Sequence, residues 1–90
     1  MNDNAPSPLA MARAQLAVAV RESHIRRRRM LAALAKVVAA KTPAQARKPR
    51  IAFRAAHKAV LDQVPELQLL ERLVDEAEAQ ATPPFEQATN

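Results

Sequence analysis

The chain contains no glycine, no cysteine, no tryptophan and no tyrosine. Without glycine there can be no glycine-rich phosphate loop, no dinucleotide-binding turn and no glycine hairpin turn, since each needs backbone angles that a Cβ disfavours. Without cysteine there are no disulfides, no thiolate metal site and no cysteine nucleophile. Two phenylalanines are the only aromatics of the Phe, Trp and Tyr set. The stacking platform used by most single-strand nucleic-acid binders is therefore missing. No run of apolar residues approaches the ~18–20 needed to span a bilayer. Residues 1–29 lack the order of a signal peptide, because their positive charge follows the apolar stretch and Asp3 precedes it.

Alanine fills much of the space that remains. Of 90 residues 21 are alanine, and 23 are larger apolar residues. That supply suits one small domain with a thin core, of the kind that gains from a partner or a second copy. Charge is distributed unevenly. Residues 1–58 hold 13 of the 14 lysines and arginines against Asp3 and Glu22, whereas residues 59–90 hold Arg72 against seven acids. A basic body with an acidic end points to a polyanion-facing surface, with a solvated helical face as the plainer explanation.

The element pattern is helical throughout. Ser7-Pro8 forms a helix start, with serine as cap and proline at the first helical position. Nothing from Pro8 to Ala40 forbids helix, although Arg26–Arg29 is a place where it could break. Thr42-Pro43-Ala44-Gln45 has the form of a capping box. Pro49 argues for a single turn at 43–47, with the next helix starting near 49. Pro65 sets another boundary, with Asp62 the better capping candidate beside Val64. The expected fold is all-α: an open three-helix arrangement with a long first helix, the helices spanning about 8–40, 49–61 and 63–81. Residues 8–81 form one helical domain, 1–7 a disordered N-terminus and 82–90 a flexible tail.

Helical periodicity assigns the faces. In the last helix Leu67, Leu69, Leu70, Leu73, Val74 and Ala77 form an apolar arc opposite Glu71, Asp75 and Glu76. In the middle helix Phe53, Ala56, Val60 and Val64 form a packing arc. Arg50, Arg54 and Lys58 recur every four residues as a cationic ridge, preceded by Arg47 and Lys48. The first helix carries two stripes. Leu9, Leu16, Val20, Leu31, Leu34 and Val38 form one, and Met11, Val18 and Ile25, spaced by sevens, form the other. Two apolar sides ask for two neighbours, so Met11, Val18 and Ile25 are the expected self-association surface of a homodimer. Arg26, Arg27, Arg28 and Arg29 step around the whole helix, with Arg27 in line with the Leu/Val stripe. They read as a collar that grips phosphates or as an exposed joint.

No catalytic constellation is present. Ser23 and His24 are adjacent and diverge on a helix, and His24 and His57 make no metal-binding pair. The chain is therefore read as a non-enzyme without metal or cofactor. The run Arg26–Lys36, with Met30-Leu31-Ala32-Ala33-Leu34-Ala35 after the arginines, resembles small helical accessory proteins of plasmid mobilisation complexes. The likeness covers about a dozen residues and carries no residue role with it. The expected function is a small basic nucleic-acid-binding accessory or regulatory protein of plasmid or phage type, acting in the cytoplasm. Duplex DNA is favoured over RNA. The site comprises Arg26, Arg27, Arg28, Arg29, Arg47, Lys48, Arg50, Arg54 and Lys58, contacting mainly phosphates. The rival reading is an adaptor that docks an acidic protein or joins a larger helical assembly.

Overall fold

The computed structural model describes residues 6–81; the N-terminal residues 1–5 and the segment 82–90, read above as disordered and flexible, lie outside them. Among the described residues there is no strand. Three helices follow in order: α1 (Pro8–Ala39), α2 (Pro43–Asp62) and α3 (Val64–Ala81). The all-α arrangement with a long first helix is thus as the sequence implies. α1 is unbroken over 32 residues, straight through Arg26–Arg29. α2 and α3 run on from one another through a bend, so the molecule is an antiparallel hairpin of two long legs.

Capping follows side-chain chemistry. Ser7 Oγ accepts from the Ala10 N–H at 3.1 Å, and Thr42 Oγ1 accepts from the Gln45 N–H at 3.1 Å. Each satisfies a backbone donor that has no partner within its helix. Gln45 completes its box one residue early, its Oε1 accepting from the Lys41 N–H at 2.9 Å. The turn between the legs is made without glycine. Ala40 and Thr42 are both extended, and no residue described has positive φ.

Two boundary expectations need correction. The second helix starts at Pro43 rather than near 49, and Pro49 sits inside it. The Thr42 cap and Pro43 at the first position nucleate the helix early, and it continues past Pro49 at the loss of one hydrogen bond to the Gln45 carbonyl. Asp62 does not cap the third helix: it is the last residue of α2, and its carboxylate accepts from Lys58 Nζ at 2.7 Å. The junction is the single residue Gln63, whose carbonyl accepts from the Leu67 N–H at 3.0 Å. Pro65 lacks the N–H that would have reached the Leu61 carbonyl, which is the local cause of the bend.

The legs meet along a seam that alternates three- and four-residue steps. On α1 it runs through Leu9, Ala12, Leu16, Ala19, Ser23, Arg26, Met30, Ala33, Val37 and Ala40. On the other leg it runs through Ala46, Pro49, Phe53, Ala56, Val60, Gln63, Leu67, Leu70, Val74 and Ala77, and the bend does not interrupt the register. This is the 3.5-residue repeat of helices that coil about one another. Alanines let the backbones approach closely, and among the described residues only Ala19, Ala33, Ala46, Val74 and Gln63 are buried.

The seam also corrects the apolar faces. Val20, Leu31, Leu34 and Val38 lie outside it, as do Val64, Leu69 and Leu73. Arg26, not Arg27, stands in line with the packing face. It is half-buried, and its Nη1 donates to the Ala59 carbonyl across the hairpin at 2.8 Å. A guanidinium beside a packed seam requires such a partner.

Candidate nucleic-acid interface

Charge separates along the hairpin. Residues 26–58 contain eleven lysines and arginines and no acid. Folding at 40–42 lays the second half of α1 against α2, so all eleven cations lie in the half of the rod nearest the turn. The opposite half, residues 8–25 with 59–81, contains seven acids against Arg13, Arg21 and Arg72.

Two flanks border the seam. The first is marked by Arg13 and Glu78, which approach to 3.5 Å across the legs. Stepping along the seam repeat from these two residues reaches Arg27 and Lys41 on one leg and Arg50 and His57 on the other. Arg47 and Arg54 lie next outward on this flank. A shallow recess near the turn is lined by Pro43, Arg47, Arg50, Ile51 and Arg54. His57, exposed, stacks on the half-buried ring of Phe53 with centroids 5.6 Å apart. The second flank is marked by a groove between Gln15, Val18 and Glu22 of α1 and Glu66 of α3. It carries Arg29, Lys36 and Lys48. Arg28 and Lys58 point away from the seam on the backs of their helices.

The nine site residues expected from the sequence therefore fall into three groups. Arg27, Arg28, Arg29, Arg47, Lys48, Arg50 and Arg54 are exposed, and none is in an ion pair among the described residues. Lys58 is exposed but is bonded to Asp62 one turn on. Arg26 is turned into the hairpin and bonds backbone. Two cations of the same half, Lys36 and Lys41, were missed; their signal was the acid-free stretch itself, which extends through both. Arg27 comes onto the same flank as Arg50 only through the fold, since the turn separates them in sequence.

Ser23 lies half-buried at the seam and His24 is exposed, so the adjacent pair diverges. Among the described residues no group of three His, Cys, Asp or Glu side chains is placed to hold a metal ion. None of the helices is long and apolar enough to cross a membrane. No protein-family model, curated protein or solved structure matches this chain.

Proposed function

We propose that the protein is a small, non-enzymatic nucleic-acid-binding accessory or regulatory protein that grips duplex DNA through its phosphates. One observation carries this reading: eleven cations without a single acid, drawn from two helices and the turn between them into one half of the hairpin. Such a surface releases counterions from a phosphate backbone and fixes position without reading sequence. Arg27, Lys41, Arg47, Arg50 and Arg54 on the first flank form its densest part. The plasmid or phage setting and the cytoplasmic location belong to the same proposal.

The deciding experiment is a titration against duplex DNA, single-stranded DNA and RNA at two salt concentrations. Engagement of about 4–6 phosphates gives a log–log salt slope of about −4 to −5 on the duplex. A flat salt response would remove the electrostatic basis of the proposal.

A second reading, an adaptor for an acidic protein, draws support from the exposed apolar residues among these cations. Val38 is 77% and Leu31 56% exposed. Phosphates give such side chains nothing to pack on, whereas an acidic amphipathic helix would. Saturable binding to an acidic helical peptide, with no affinity for any nucleic acid, would favour the adaptor.

A further inference from the structure

The second flank carries an unpartnered apolar stripe, and its residue sizes and charges specify what fits on it. On α1 the stripe is Met11, Val18, Ile25, Ala32 and Ala39, at seven-residue intervals and all exposed. Large side chains occupy the open half of the rod and alanines the half nearest the turn. The other leg repeats the gradient: Leu69 and Leu73 are exposed in the open half, and Ala52 and Ala55 near the turn. Charge on this flank reverses in the same place. Glu22, Asp62, Glu66 and Glu76 lie toward the open end, and Arg29, Lys36 and Lys48 toward the turn.

We infer that the occupant of this flank is a second copy of the chain, packed with its turn at the opposite end. A two-fold axis across the rod at Ile25 sets Ile25 against its equivalent. It sets Val18 against Ala32 and Met11 against Ala39 of the other copy. On either side of the central Ile25 pair, large side chains meet small ones, the condition for close packing between helix faces. The same axis brings Glu22 toward Arg29 of the other copy, on both sides of the centre, and Lys48 toward Glu76. A pair with both turns at one end would instead stack large on large in the open half and set Arg29, Lys36 and Lys48 beside one another. The grooves between the legs on this flank, one at Val18 and one at Met11 and Leu73, are where side chains of the second copy would seat. The resulting antiparallel four-helix assembly gives a thin-cored hairpin its second apolar layer. Its cationic first flanks are left outward, one toward each end.

The chain has no native cysteine, so single-cysteine variants can test this arrangement directly. Wild-type protein should sediment at twice its 9.9 kDa mass. Ile25→Cys should form a disulfide dimer on mild oxidation. Met11→Cys alone should not, because its two copies would stand about 42 Å apart along α1. A mixture of Met11→Cys and Ala39→Cys should give the mixed dimer. In the alternative pairing, with both turns at one end, position 11 of one copy and position 39 of the other would stand about 42 Å apart along the rod, so that mixed dimer could not form. Val18→Lys with Ile25→Lys should halve the mass while helix content stays. A monomeric wild type at high micromolar concentration would overturn the inference. So would an Ile25→Cys variant that does not cross-link, or a double-lysine variant that keeps the dimer mass. No step involves nucleic acid, so the result is independent of the salt titration.

Discussion

Gln63 donates from Nε2 to the carbonyl of Ala19 at 2.9 Å, joining the bend between α2 and α3 to the middle of α1. It is 2% exposed, and among the described residues its Oε1 has no hydrogen-bond partner. A buried polar group bonded on one side only offers little net stability, because its second atom has lost water without compensation. It does favour the register in which an acceptor is at hand.

Gln63→Met should therefore leave unfolding free energy within about 1 kcal/mol of wild type, since the lost bond and the relieved Oε1 offset each other. Gln63→Glu should be far worse at neutral pH, because it sets a carboxylate against a carbonyl oxygen in a buried site. Urea melts of the two variants compare them. Equal stability would show that water reaches position 63.

Close approach at the alanine seam is also testable. Ala33 is buried between the legs, while Ala35 is exposed on the same helix. Ala33→Leu should cost about 1–3 kcal/mol by overpacking. Ala35→Leu should be nearly neutral. A thermal melt that ranks them otherwise would contradict the seam.

The four consecutive arginines should separate into two kinds. Arg27→Gln should weaken duplex DNA binding and flatten the salt slope by about 1, more than Arg28→Gln or Arg29→Gln on the other faces, with circular dichroism unchanged. Arg26→Gln should instead lower stability by about 1 kcal/mol through loss of its bond to Ala59. Equal effects of all four on binding, with none on stability, would mean that Arg26 leaves the seam to meet phosphate.

Pro49 interrupts the α2 hydrogen bonding from within. Pro49→Ala restores the N–H donor to the Gln45 carbonyl, and the expected gain is about 1–3 kcal/mol. Loss of stability instead would show that the proline ring, half-buried against α1, contributes more through packing than it removes from the backbone.

The fold was legible where local chemistry decides it. Ser7 and Thr42 announce their helices because a hydroxyl ahead of a proline-led turn has one obvious use. The seam was much harder to see. Apolar bulk singles out Leu31, Leu34, Leu69 and Leu73, yet the legs pack on Ala12, Ala19, Ala33, Ala46 and Ala56. Alanine in so alanine-rich a chain has no contrast with its surroundings, while only small residues permit such close contact. The cations were visible individually. That Arg27 shares a flank with Arg50 depends on the turn at 40–42 and on the choice of seam, which no local pattern states.

A seam that repeats every 3.5 residues has a handedness. Straight helices drift off such a repeat, so the legs must wind around each other in a left-handed sense, with a pitch of about 150 Å. Over the roughly 25 Å of the basic half, the cationic flank therefore rotates by about 60°. The phosphate ridges of duplex DNA climb in the right-handed sense. A left-handed ribbon laid on them crosses a ridge instead of following it, which limits the phosphates within reach to those near the crossing. Lengthening the basic half by whole heptads would then add charge without adding contacts, and a bent or single-stranded polyanion could use cations that a straight duplex leaves idle.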